Sequence, residues 1–435
     1  MIVNFKFSNF KAVKEEVCLS FEATKSEELE DYYVCKKGNK RILKMALIFG
    51  ANASGKTTIL EALEFVRQLV LDPLDTKDSL IDFSPFLLDQ TSRNQPSNFS
   101  LEFVYKDVRY LYELEVNTSA VLAETLYFFS PNKAKVFSRT TDVDKKLAKI
   151  TFGSKVKVSS EYKNSLVANT LWNNTVLGAY LKTNFDAPEL QNVHDWFKHA
   201  LKPIVLPSTD LFSYITKRIE AGQIQADRLI TILQKADFNI SEIRLEKQEI
   251  EVTDDLLQFM KLNLPGQVVE DLKGQKKINN TRLFFDHQIE GKTYPLAYEQ
   301  ESRGTQRYYQ FSGILEMMTR TASIFPIDEI ASSLHPDLLK FFLLTFLTNS
   351  EDAQLIATTH NRELFLEKDL LRNDTIWFTE KEENSGAVDL YALDDFGSET
   401  IRNTSSVYNA YKIGKLGATP QLNDYFLNFE DGQIK

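Results

Sequence analysis

Cysteine is almost missing from this chain: Cys18 and Cys35 are the only two in 435 residues. Two thiols cannot build a disulfide framework or a Cys-rich zinc site. Histidine is scarce too, with five residues and no metal-ligand spacing. His194 and His199 stand five apart and so do not share a helix face. Long apolar runs are lacking. The cleanest, Phe341–Leu344 continued past Thr345 to Leu347, is far too short to span a bilayer. The opening residues, MIVNFKFSNFKAVKEE, carry charges where a signal peptide needs an apolar core. A soluble, unprocessed, cytoplasmic protein without membrane contact is expected. Positive charge is not in excess either: 51 Lys and Arg face 61 Asp and Glu, a net charge of −10. A sequence-independent grip on nucleic acid depends on clustered Lys and Arg, so nucleic acid is a partner that the charge does not support. Lysines do gather in Lys133–Lys163 (Lys145, Lys146, Lys149, Lys155, Lys157) and in Lys273–Lys277. Both stretches read as solvated hairpins and loops.

What remains is ordinary globular composition, 43% hydrophobic and 26% charged, with room for about two or three structural units. In the first part, Phe5, Phe7, Val17, Leu19 and Phe21 alternate with mostly polar neighbours, which predicts two short strands. Leu43–Phe49 is nearly continuous in apolar residues, as a strand buried on both faces requires. Ile59, Ala62, Leu63, Val66 and Leu69 recur at helical spacing, and Pro73 closes that helix. Phe99–Val104 and Tyr110–Val116 predict a β-hairpin. The middle is mostly helical: one helix opens at Pro188, a second covers about 223–236, and strands are expected near Ile240–Val252 and Leu283–Tyr294. The α/β pattern then resumes, with helices over Thr305–Thr319 and Pro336–Thr348 and strands over Ala322–Asp328 and Gln354–Thr358. The expected division is 1–155 for the first half of an α/β domain, 156–290 for a mostly helical insertion, 291–400 for the second half, and 401–435 for a tail.

Four stretches carry chemistry. Gly50–Thr58 reads G-x-x-x-x-G-K-T between a buried strand and a periodic helix. In that context the backbone N–H groups curl around phosphate oxygens, and the helix adds its positive end. Gly50, Asn52, Ser54, Gly55, Lys56, Thr57 and Thr58 would surround the nucleotide phosphates. Lys56 would reach the β- and γ-phosphates, and the Thr57 hydroxyl would ligate Mg²⁺. The apolar run Ala322–Ile327 ends in Asp328 and Glu329. Asp328 would hold the Mg²⁺ shell, and Glu329 would polarise the attacking water. Pro326 sits awkwardly in that strand, because a central strand needs its N–H groups. A third buried run, Gln354–Thr359, ends in His360, which is placed to sense the γ-phosphate. Fourth, Glu301–Arg307 opens a helix with Ser302, Gly304 and Thr305, a hydroxyl and free N–H groups that make an anion site or a plain cap. His335, just before Pro336, reads as a helix cap.

These elements in this order resemble the ABC-type ATPases of the SMC, RecF and OLD kind. The opening FSNFKAVKEEVCLSF and the loop GANASGKTT resemble that class. More narrowly, ESRGTQRYY, IDEIASSLHP, TTHNREL and the tail Tyr408–Pro420 resemble the RloA-like family of bacterial ATPases. The resemblance implies an α/β fold, a P-loop ATPase head with a β-rich lobe and a helical insertion, using ATP and Mg²⁺. It implies that Ser302 and Gly304 contact the γ-phosphate held by an opposite subunit, that Ser333 lies in the D-loop, and that His360 is the switch histidine. A Q-loop glutamine would add to the Mg²⁺ ligands, and Gln90 and Gln95 both qualify. It implies a head-to-tail dimer or a higher homo-oligomer. It also implies a separately encoded effector, such as a nuclease, in a system that resists phage. The region after His360 offers no nuclease acidic set, and Asp394-Asp395 reads as a turn. A repair or chromosome-maintenance ATPase and a nucleotide-binding scaffold with negligible turnover are the alternatives.

Overall fold

The computed structural model describes residues 1–156, 159–253, 277–396 and 406–419. Lys157, most of the Lys273–Lys277 cluster and most of the expected 401–435 tail lie outside them. Contacts divide the chain into two compact units, 1–207 with 321–331 and 347–435, and 208–320 with 332–346. The expected insertion, 156–290, is thus shared between two units. Residues 156–207 are held in the first by their own bonds: Asn174 both donates to the Leu74 carbonyl and accepts from its N–H at 2.7 Å, and Trp196 stacks 4.0 Å from Phe103.

The first unit opens with β1 (Ile2–Ser8), β2 (Val17–Ser20), a ribbon of β3 (Val34–Lys37) and β4 (Lys40–Leu43), then β5 (Met45–Phe49) and helix α1 (Lys56–Leu71). Five strands follow: β6 (Ser97–Tyr105), β7 (Val108–Val116), β8 (Val121–Phe129), β9 (Lys133–Asp142) and β10 (Leu147–Phe152). Helices α2 (Ser160–Asn169) and α3 (Pro188–Asp195), with a short helical turn at Val176–Tyr180 between them, follow, α3 running into a π-turn at Trp196–Ala200.

Two sheets result. The larger is antiparallel throughout, in the order β10-β9-β8-β7-β6-β1-β2. Its strands alternate, as a sheet with one buried face must. Phe5 faces Leu19, and Phe7 faces Val17 and Phe99 across the register. That apolar face meets α1, where the Phe65 ring lies 5.3 Å from Phe99 and 5.4 Å from Phe10.

The second unit holds α4 (Phe212–Glu220), α5 (Ala226–Lys235), the antiparallel strands β11 (Ile240–Glu251), β12 (Lys277–Ile289) and β13 (Lys292–Ala297), helix α6 (Arg303–Arg320) and most of α7 (Pro336–Asn349). The strands expected near Leu283–Tyr294 are β12 and β13. They are joined at Glu290-Gly291, both left-handed at φ 50° and 76°, a two-residue turn that usually advertises itself with Asn-Gly or Asp-Gly.

The smaller sheet of the first unit gathers the remaining strands: β14 (Ile324–Ile327), β15 (Gln354–Thr359), β16 (Ile376–Lys381) and β17 (Val388–Ala392), with helix α8 (Val407–Lys412) following. Its order is β14-β15-β5-β16-β17, parallel except for the last pair. Every residue of β5 and β15 is buried, which is why both read as unbroken apolar runs. Pro326 is accommodated because β14 is the outer strand. Its carbonyl accepts from the Val205 N–H at 2.9 Å, so its missing donor points to that irregular segment and not to β15. The α/β class and the β-rich lobe expected from the sequence are both present. Among the described residues no helix is long and apolar enough to cross a membrane.

Candidate nucleotide site

The parallel strands end on one side, and the polar residues that follow them meet there. β5 runs into Gly50, where a Cβ would lie 2.8 Å from the Thr379 carbonyl oxygen. Gly55 has φ 88°, and a Cβ there would strike Val388 at 2.6 Å. Gly50 is therefore demanded by close backbone approach, and Gly55 by its left-handed φ and the Val388 side chain packed against it. Helix α1 starts after Gly55 with no side-chain cap and no acidic residue in its first turn. Its positive end is left for a ligand. Ser54 and Thr379 share a hydroxyl–hydroxyl bond of 2.7 Å that ties the loop to β16.

Lys56 is 5% exposed. Its ammonium donates to the carbonyls of Gly50 (3.1 Å) and Ala51 (3.0 Å) and lies 3.3 Å from Glu329 Oε1. The Thr57 hydroxyl donates to Asp328 Oδ2 at 3.0 Å. Thr358 joins the two acidic residues: its hydroxyl donates to Asp328 Oδ1 at 2.6 Å and accepts from the Glu329 N–H at 2.8 Å. Glu329 is left-handed at φ 47°, and its Oε2 lies 2.7 Å from His360 Nδ1. Lys56, Thr57, Asp328, Glu329 and His360 thus form one continuous chain of contacts. Thr358 was not singled out by the sequence, although a Thr-Thr-His end to a buried strand is its trace there.

The residues fit a magnesium nucleotide. Among the described residues no group of three or more His, Cys, Asp or Glu is gathered as a metal site. A hydroxyl and one carboxylate, Thr57 and Asp328, are the donor set by which Mg²⁺ is held when phosphates supply the rest. The Lys56 ammonium already bonds to carbonyl oxygens inside the loop, where phosphate oxygens would compete for it.

The other expected residues lie elsewhere. Ser302 and Gly304 belong to the second unit. Ser302 caps α6, its hydroxyl accepting from the Thr305 N–H at 3.1 Å. It is exposed, and the space beside Gly304 is open except for Ser302 Oγ at 3.7 Å. Ser333 is exposed and left-handed at φ 64°. His335 caps α7, its Nδ1 accepting from the Asp337 N–H at 3.3 Å. Gln90 and Gln95 are both exposed in the loop before β6, and no hydrogen bond joins either to Thr57 or Asp328. That loop is fastened by Asn9, whose amide donates to the carbonyls of Ser92 and Gln95 at 2.9 Å and accepts from the Phe86 N–H at 3.1 Å. The Asn-Phe-Lys opening of the chain is therefore a structural staple.

Over residues 45–367 the chain matches the family described as "AAA domain, putative AbiEii toxin, Type IV TA system". It belongs to that family. The match runs from β5 to the turn after His360 and so takes in the whole contact chain from Lys56 to His360. No curated protein matches this AAA-domain chain. Among solved structures, it is similar to an SMC head domain bound to the C-winged helix domain of ScpA, at 12% identity and a TM-score of 0.44, over 91% of this chain and 99% of that one. The SMC head domain from Thermotoga maritima gives 13% and 0.41, over 90% and 98%. The SMC head domain with an extended coiled coil, bound to the C-terminal domain of ScpA derived from Pyrococcus furiosus, gives 11% and 0.42, over 91% and 97%. Likeness at this level does not bear on function.

Proposed function

We propose that this AAA-domain protein binds ATP with Mg²⁺ and hydrolyses it. The observation that supports this most directly is the contact chain itself, in which a buried lysine, a hydroxyl, two carboxylates and an imidazole from three separated stretches meet at the ends of parallel strands. Lys56 holds the β- and γ-phosphates. Thr57 and Asp328 hold the metal, which when bound neutralises phosphate charge and aligns the γ-phosphate for attack. Glu329 orients and deprotonates water. His360, bonded to Glu329, keeps that carboxylate aimed and senses the γ-phosphate. The test is ATP turnover by the purified chain with and without Mg²⁺. A chain that turns over no ATP under either condition overturns the reading.

The active form in this reading is a head-to-tail dimer. Ser302 and Gly304 crown an exposed helix start, whose N–H groups and hydroxyl suit an anion presented by a second copy. A Ser302→Arg chain then binds ATP without hydrolysing it, and mixing it with Lys56→Ala chains restores one complete site per mixed dimer. Hydrolysis by Ser302→Arg alone at the wild-type rate excludes the shared site. The biological role we infer is control of a separately encoded toxic effector in phage defence, as the RloA-like resemblance implies. The family description supplies a second reading, in which the chain is itself the toxic component. Growth arrest on expression of the chain alone, relieved by Lys56→Ala, favours that second reading. Arrest only with a partner favours the first.

A further inference from the structure

The segment Ser406–Thr419 is bound to the first unit by more than its short helix. Tyr411 on α8 is 6% exposed. Its ring centroid lies 5.3 Å from Phe365, 5.7 Å from Phe378 and 6.4 Å from Phe49. Its hydroxyl donates to the Ala418 carbonyl at 3.1 Å. Beyond it the Tyr391 hydroxyl donates to the Leu416 carbonyl at 2.9 Å, and the Ala418 N–H donates to Glu380 at 3.2 Å. A Cβ on Gly417 would lie 2.5 Å from the Tyr391 hydroxyl, so the segment closes there only with glycine.

Two of the rings under Tyr411 connect to the nucleotide site. Phe49 is the residue before Gly50. Phe365 belongs to the 3-10 turn Arg362–Leu366, which starts two residues after His360, and the two rings are 4.3 Å apart. The His360 side chain is 62% exposed. Its own packing therefore does not hold it, and its place depends on the Glu329 bond and on the backbone to either side. On one side is β15. On the other, the Asn361 N–H donates to Thr359 Oγ1 at 3.1 Å and the Asn361 side chain accepts from the Glu363 N–H at 3.1 Å. The turn's one ring, Phe365, is seated among Phe49, Phe378 and Tyr411.

We propose that Tyr411 is a positioning residue for His360: its ring walls in Phe365 and so fixes the turn that carries the imidazole against Glu329. This rests on reading His360 as part of a hydrolytic site. It makes the Ser406–Thr419 segment a lever on that site.

The full chain is tested as Tyr411→Phe and Tyr411→Leu, with circular dichroism and melting temperature showing that each folds. Tyr411→Leu lowers kcat by about tenfold to a hundredfold, the scale of a small misplacement of a reacting group, and leaves KM for ATP nearly unchanged. Tyr411→Phe keeps the ring and stays near wild type. In a His360→Ala background Tyr411→Leu costs little more, because residues acting as one unit are not additive. An equal loss in both backgrounds, or a change confined to KM, overturns the proposal. A second readout is independent of turnover. In the chain labelled at its five histidines, the His360 imidazole resonance, identified by its loss in His360→Ala, shifts in Tyr411→Leu and not in Tyr411→Phe. An unmoved resonance in folded Tyr411→Leu also overturns it. Absence of ATP turnover in the wild type overturns only the reading of the site, and the resonance still decides the role of Tyr411. Should Tyr411→Leu not fold, Phe365→Leu at its half-buried position tests the same link with the same outcomes.

Discussion

Two ion pairs in the first unit look alike on paper and differ in what surrounds them. In the antiparallel sheet, Glu124 and Arg139 are 3.8 Å apart, both fully buried. Glu124 accepts from the Tyr112 hydroxyl at 2.8 Å and the Val176 N–H at 2.6 Å, while Arg139 donates to the Trp172 carbonyl at 2.9 Å. Burial pushes the Glu124 carboxyl up and the Arg139 guanidinium down. Nothing from solvent can replace those partners, so the pair fastens residues 171–176 to the sheet. In the parallel sheet, Lys56 and Glu329 are 3.3 Å apart, but the Glu329 side chain is 23% exposed and faces the exposed His360. Its partners can be exchanged. A closed pair is architecture, whereas a pair with one open side can exchange partners with a ligand.

That contrast breaks in stages under mutation. The largest effect is expected from Lys56→Ala, which removes the main point charge for the triphosphate. Titration with ATP at concentrations that saturate the wild type should show no binding, and retained wild-type affinity would erase the distinction between the pairs. Glu329→Gln should keep ATP bound and slow turnover by about 10²–10⁴-fold, without lowering the melting temperature. Glu124→Ala should do the reverse. It leaves a buried guanidinium unpaired and should cost about 3–5 kcal/mol of stability, read by denaturant unfolding. Adding Arg139→Met should return much of that loss, since removing both charges spares the lone one.

Thr358→Val sharpens the comparison from inside the open site. It deletes the hydroxyl shared by Asp328 and the Glu329 N–H, and turnover should fall by about tenfold to a hundredfold, with a higher Mg²⁺ requirement. The smallest effect is expected at a third pair. Asp374 accepts from Arg372 Nε and Nη2 at 2.9 and 2.8 Å and from the Thr24 N–H at 3.0 Å. Burial works to raise its pKa, but the bonds from Arg372 and Thr24 outweigh that and hold it below the usual carboxylate range. A depressed folded-state pKa means stability that is present above the unfolded value and lost as pH falls through the folded one. Asp374→Asn should therefore cost about 1–3 kcal/mol near neutral pH. Unfolding curves of mutant and wild type should converge in acid, and a gap that persists there would show that the charge is not the cause.

The parallel sheet was the most legible part of the molecule. Its strands are buried on both faces and so print as the runs Leu43–Phe49 and Gln354–Thr359, and the residues that follow them form the candidate site. Glu124 and Arg139 were illegible, because a charged residue at an inward position of an alternating strand looks like a break in the pattern until its partner is known. The division of 156–290 between two units was hidden for a related reason. The bonds of Asn174 to Leu74 and the stacking of Trp196 on Phe103 join stretches about a hundred residues apart, and periodicity is a local signal. Thr358 was missed because a hydroxyl in an apolar run is read as part of the run.

Glu329 sets stability against use. Its left-handed φ of 47° costs a side chain with a Cβ roughly 1–2 kcal/mol that glycine would not incur. A library randomised at this position and selected for heat resistance should enrich glycine and asparagine, whereas one selected for ATP turnover should return glutamate. Consensus or thermostability redesign of this chain would thus erode the proposed hydrolysis first at position 329, and the folded protein would give no sign of it.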